Sequence, residues 1–369
     1  MRSSKWFILW FGLLSWKADL FAEIASFGNT FDLGFTPIAY VSPDNLEEYS
    51  ISKDDEEKAV SGFCIKLSYH FEKYGWEKNP CGQVKWKANL KTRSGVPLVY
   101  AVFGEGPETT LIISSVHSDE NTPVPMGFRF AQYLMNHPDV YDNPHTRVVI
   151  APLVNPDGFL KESTTRQNSN GVDLNRNFFT IDWYRLAGEW WRKGSKRNPR
   201  YYPGYFPNSE IETIHQIELI DRFLPDKILS IHAPLGFLDY DGPGDDKMRR
   251  SSSTDIRAKR LVDMFSKKTQ SYRVIDYSYF PGSLGNYAGN ERNIPTVTLE
   301  FKTTTPKMVD SYWKQFLPGI LELVKYHFRT DRFHNRENAT SFYGSYEEHS
   351  RKRSESVKQK TLQDRKQKI

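Results

Sequence analysis

Five runs of apolar and β-branched residues divide the middle of the chain. Val96–Phe103, Thr109–Val116, Arg147–Val154, Ile228–His232 and Ile294–Phe301 each have the length and composition of a buried strand. Gly104-Glu105-Gly106-Pro107 closes the first with a turn. Between the runs the apolar spacing becomes helical: over 124–137, over a segment carrying Ile211, Ile214, Ile217 and Ile220, and over 254–267 with Ala258, Leu261, Val262 and Phe265. Ser209 followed by Glu212 reads as the capping box of the second of these helices. Upstream, Asp54-Asp55-Glu56-Glu57 opens a helix whose Val60, Cys64, Leu67 and Phe71 share a face, and Gly75 and Asn79-Pro80 end it. A helical region from Pro306 to Phe328, interrupted at Pro318, closes the pattern.

Strands alternating with helices predict an α/β fold, a mostly parallel mixed sheet flanked by helices. In such a sheet ligands sit beyond the carboxyl ends of the strands. His117, His232 and Glu300 all stand at such ends. The stretch 155–205 is too long for a plain connection and is read as functional.

Charge changes the picture only at the ends. The net +5 separates into +6 over residues 351–369, +2 over residues 1–22 and −3 for the remainder, so no folded basic face is expected and nucleic acid is set aside. Arg2 and Lys5 followed by the apolar run Trp6–Trp16 and by Ala22 read as an export signal over 1–22, too short to span a bilayer. This implies an exported protein, periplasmic or secreted, with no membrane span after processing. In an exported chain the two cysteines, Cys64 and Cys81, suggest one disulfide, the alternative being two buried thiols. The expected organisation is a signal peptide (1–22), a helical preface pinned by Cys64–Cys81 (23–93), the main domain (94–330) and a basic disordered tail (331–369). Solvation is the plain reading of that tail, and binding to acidic wall polymers the alternative.

His117 and Glu120 lie three residues apart at a strand end, where an imidazole and a carboxylate can turn toward one divalent ion. Alone the pair proves little, and His232 alone would read as a satisfied core histidine. Other segments alter that weighing: Asn155-Pro156-Asp157-Gly158, the run Arg166 to Phe178 containing Gly171-Val172-Asp173-Leu174-Asn175-Arg176-Asn177, Ser230-Ile231-His232-Ala233-Pro234, Pro281-Gly282-Ser283-Leu284 and Thr298-Leu299-Glu300-Phe301. In this order the segments resemble the zinc carboxypeptidase family, and within it the murein peptide amidase A group, over roughly residues 95–325.

The resemblance implies that His117, Glu120 and His232 hold one zinc ion, leaving a position for water. It implies Glu300 as general base and Arg166 as the cation facing the oxyanion. Asn175 and Arg176 match the pair that holds a terminal carboxylate, and Asp173 the acceptor behind His117. A mobile tyrosine is expected from Tyr277 or Tyr279, and Leu284 is expected to line the pocket for the leaving residue. Two departures stand out: Ser118 replaces the usual glycine, and residues 182–205 are unusually aromatic, either packing their own loop or stacking on sugar or peptide.

The function implied is hydrolysis of the γ-D-glutamyl–meso-diaminopimelate amide bond of murein peptides. The alternatives are a carboxypeptidase acting on ordinary peptide C-termini, a cell-shape wall DL-carboxypeptidase, and an inactive wall-binding module. The last would be marked by loss of Glu300 or of a ligand, and all are present.

Overall fold

The computed structural model describes residues 46–242, 253–275, 277 and 279–328. The expected signal peptide, the first part of the preface and the basic tail lie outside the described residues. The strands are β1 (Lys87–Lys91), β2 (Pro97–Phe103), β3 (Glu108–Ser114), β4 (Thr146–Ala151), β5 (Lys227–His232), β6 (Phe237–Tyr240), β7 (Val274–Ile275) and β8 (Thr296–Glu300). They form one mixed sheet in the order β1-β2-β4-β3-β5-β8-β6-β7. The central neighbours β4, β3, β5 and β8 are all parallel, while β2 and β6 flank them antiparallel.

The central runs are apolar almost throughout because each strand feeds two cores by alternation. Ile112, Val148, Ile150, Leu229, Ile231, Val297 and Leu299 face one core. On that side lie α1 (Lys53–Lys73), α2 (Pro123–Asn136), α4 (Ser253–Lys268) and α5 (Val309–Lys325), through residues such as Leu67, Phe128, Phe265 and Phe316. Leu111, Ile113, Val149, Ala151 and Ile228 face the other core, against Leu219 and Ile220 of α3 (Ile211–Phe223) and against Leu174, Phe178 and Tyr287.

Alternation also explains a polar row. With Leu229 and Ile231 committed to the first core, Ser230 and His232 face the opposite side of β5, and Thr298 and Glu300 do the same on β8. Pairing aligns Ser230 with Thr298 and Thr298 with Asp239, and, two residues on, His232 with Glu300.

Several elements depart from the sequence reading. Residues 54–93 supply not only α1 but also the edge strand β1, which pairs antiparallel with β2. A disulfide joins Cys64 of α1 to Cys81, and Ser52 caps α1 by accepting from the Asp55 N–H. The capping box at Ser209 does not form. Glu210 is the N-cap of α3 without a side-chain bond, Ser209 Oγ donates to Glu210 Oε1, and Glu212 turns inward to Asn168. Helix α5 runs through Pro318 without interruption. The strands β6 and β7 complete the sheet from short segments that the apolar pattern did not mark. The stretch 155–205 is built from single helical turns, among them Pro156–Phe159, Leu174–Arg176 and Pro199–Tyr201, and from wider π-type turns at Trp183–Ala187 and Trp190–Gly194.

Candidate active site

Beyond the end of β3 the chain turns sharply at Ser115, with φ of 57°, and delivers His117 and Glu120. Ser118 is fully buried and its hydroxyl donates to the Asn155 carbonyl, tying this turn to the end of β4. The hydroxyl thus has a partner that glycine would lack. His232 ends the neighbouring strand β5. Nδ1 of His117 lies 2.8 Å from Glu120 Oε1, and Nδ1 of His232 lies 3.0 Å from Glu120 Oε2. One donor atom from each of the three residues lies within 4.8 Å of the others, and all three side chains are buried.

Each ring is held from behind. His117 Nε2 is 3.1 Å from Asp173 Oδ1, a partner that can hold a proton on that nitrogen and so leave Nδ1, which faces Glu120, as the atom that would bind a metal ion. His232 Nε2 is 2.9 Å from the Ser230 hydroxyl, which can fix its ring in the same way. Two imidazole nitrogens and a carboxylate, buried and converging, fit a zinc ion with a fourth position left open.

The electrostatics agree with that geometry. Burial works against the charge of Glu120, but the His117 and His232 rings outweigh it and hold the carboxyl well below the usual range. Burial likewise opposes the charge of Asp173, and Arg166 followed by His117 overrides it. Arg166 reaches Asp173 Oδ2 through Nε at 3.0 Å and Nη2 at 2.9 Å, and its Nη1 lies 3.3 Å from Glu120 Oε1. Its guanidinium therefore sits beside the cluster, under the ring of Tyr201. Glu300 faces the same space, and its Oε2 accepts from the Leu235 N–H. Burial first, and then the charge of Glu120, pushes its carboxyl up to about 7.

These groups line a cavity of about 440 Å³ together with Asn175, Arg176, Trp190, Tyr201 and Tyr277. Arg176 is buried between Phe280, 4.0 Å from its ring centre, and Trp190, 5.2 Å away. Its Nη1 donates to the Asn175 carbonyl, while its Nε has no hydrogen-bond partner among the described residues. Burial lowers the guanidinium pKa to about 10. Its backbone is packed tightly: Gly282 has φ of 76°, and a Cβ there would overlap the Arg176 carbonyl. Asn175 Oδ1 accepts from the Leu284 N–H at 2.8 Å.

Two expected residues are sorted by this geometry. Tyr277 lines the cavity and Tyr279 does not. Leu284 is a correction: its side chain points into the core with Leu174, Phe178 and Tyr287, and Ser283 lines the cavity in its place. The apolar side chain follows the second core, and only its N–H serves the site, through Asn175.

Other residues of the site were not singled out in the sequence. Ser230, which holds the His232 ring from behind, was detectable, since it stands two positions before His232 on one strand face. Asp239 and Asp241 carried no signal because β6 was not recognised. Asp119, unassigned from sequence, pairs with Arg200 of the aromatic stretch.

Comparison with known proteins agrees with the residues. A family profile described as zinc carboxypeptidase matches residues 91–318. Murein peptide amidase A of Escherichia coli (strain K12) is 28% identical over 237 residues, covering 63% of this chain and 86% of that protein. Murein peptide amidase A of Vibrio campbellii is 28% identical over 240 residues, covering 64% and 86%. The fold is also similar to the solved structure of bovine thrombin-activatable fibrinolysis inhibitor in complex with tick carboxypeptidase inhibitor, with a TM-score of 0.55 at 15% identity, covering 76% of this chain and 97% of that one. The chain belongs to the zinc carboxypeptidase family and is a hydrolase.

Proposed function

We propose that this protein is an exported amidase that uses one zinc ion to hydrolyse the γ-D-glutamyl–meso-diaminopimelate bond of murein peptides. The observation that carries the reading is the convergence of His117, Glu120 and His232 with Glu300 in register beside His232. Similarity to murein peptide amidase A supports the substrate. When bound by these residues, zinc supplies a Lewis acid for the scissile carbonyl and lowers the pKa of water.

The chain's own groups do the rest. Glu300 accepts the proton of the attacking water and passes it to the leaving amine. Arg166, fixed by Asp173, presents its positive charge where the carbonyl oxygen gains negative charge. Asn175 and Arg176 hold the carboxylate of the leaving residue, and the unmet Nε–H of Arg176 gains a partner there. Tyr277 lines the same cavity, with Trp190 and Tyr201, and flanks the substrate there.

The test is release of free diaminopimelate from a tripeptide containing the γ-D-glutamyl–meso-diaminopimelate bond, alongside peptides with ordinary C-terminal residues. Release from the tripeptide supports the reading. Turnover of the ordinary peptides alone overturns it.

A further inference from the structure

The aromatic stretch 182–205 meets the two arginines of the cavity. The Trp190 ring centre lies 5.2 Å from the guanidinium of Arg176, and that of Tyr201 lies 5.4 Å from the guanidinium of Arg166. Phe280 closes on Arg176 from another segment, at 4.0 Å. The three rings meet edge to face, Phe280 with Trp190 at 5.0 Å and Trp190 with Tyr201 at 5.9 Å. Arg176 therefore sits in a corner formed by two rings.

The same stretch fixes that corner from inside. Trp183 Nε1 donates to the Arg176 carbonyl at 2.8 Å, which ties down the backbone of the arginine. Trp191 is buried and donates from Nε1 to the Asn198 carbonyl, which anchors the turn that carries Trp190. Gly194 lets that turn close, since a Cβ there would come within 3.1 Å of the indole of Trp190.

A buried guanidinium usually spends its N–H groups on the acceptors that stabilise its charge. An aromatic face attracts the cation through its quadrupole and leaves the N–H fork free for a carboxylate. Arg176 shows the sign of such an arrangement, because its Nε is buried and has no hydrogen-bond partner among the described residues.

We propose that Trp190 and Phe280 are positioning residues for Arg176, holding its guanidinium in the cavity while leaving its N–H groups to the carboxylate of the leaving residue. This rests on the role of Arg176 as the holder of that carboxylate. It gives the aromatic stretch a partner that belongs to the site itself, in place of a sugar or peptide ring.

The test uses the zinc-loaded protein and whichever substrate it cleaves, γ-D-glutamyl or ordinary. That substrate is compared with an analogue in which the carboxylate beside the scissile bond is a carboxamide. The wild type should prefer the carboxylate by about a hundredfold in kcat/KM. Trp190→Leu keeps an apolar side chain without a π face, and should cut that preference by about tenfold, through KM for the carboxylate substrate. Trp190→Phe should restore most of it. Phe280→Leu should cut it as well, and stands in if Trp190→Leu does not fold. A purely packing role would slow both substrates alike, so an unchanged preference in a folded leucine variant overturns the proposal. A wild-type preference below about twofold overturns the carboxylate role of Arg176, and the positioning role with it.

Discussion

The guanidinium of Arg200 holds the carboxylate of Asp119, the residue that stands just before the proposed ligand Glu120. The pair joins the turn after β3 to the end of the aromatic stretch, whose Trp190 and Tyr201 overhang Arg176 and Arg166. Both partners are partly exposed, so the pair is worth at most about 1 kcal/mol of stability. Its effect on positioning is larger. Arg200→Ala should leave the melting temperature within a few degrees of wild type, raise KM, and speed proteolysis within residues 183–201. Limited proteolysis beside steady-state kinetics checks this, and unchanged KM and cleavage would contradict the link.

Ser230 fixes the ring of His232 through Nε2, and removal of such a partner weakens metal binding by about 10–100-fold. Ser230→Ala should therefore lose zinc affinity by that factor, measured by competition with a chelator. Zinc should also raise the melting temperature of the wild type more than that of the variant, because the site exists only in the folded chain.

Stability should depend on pH through Glu212, which is far from the cavity chemistry. Its Oε2 accepts from Asn168 at 3.0 Å, and Oε1 has no partner among the described residues. Burial, and then the charge of Glu210, pushes its carboxyl up to about 8. Between the ordinary carboxyl range and that value, the folded chain keeps a proton that the unfolded chain releases. The contribution of Glu212 is therefore complete in acid and is lost as pH rises toward 8, by an amount on the order of a few kcal/mol. Glu212→Gln keeps an acceptor for Asn168 and does not titrate. Denaturant melts from pH 5 to 8 should fall more steeply for the wild type than for the variant, and parallel curves would contradict the assignment.

The central strands and the residues at their ends were legible because one local cause produced both signals. A parallel strand buried on both faces must be apolar along its length, so a histidine or glutamate closing such a run stands out. What lay beyond the pattern depended on tertiary contacts. Leu284 looked like a pocket residue beside Gly282 and Ser283, yet the second core claimed its side chain. Ser209 and Glu212 have capping-box spacing, but burial of Glu212 against Asn168 prevailed over the local motif. Asp239 lies on, and Asp241 just after, a short strand recruited by β8, and nothing local announced it. Pro318 does not break α5, whose Phe316 and Ile320 on either side are buried in the first core.

In the proposed reaction Glu300 moves the proton while His117, Glu120 and His232 hold the metal. The most direct measurement is the rate of diaminopimelate release by Glu300→Gln, with zinc content determined on the same sample. The variant should hold one zinc per chain, as the wild type should, and release diaminopimelate at a rate lower by at least about 100-fold. A zinc-loaded variant that releases diaminopimelate at the wild-type rate would contradict it.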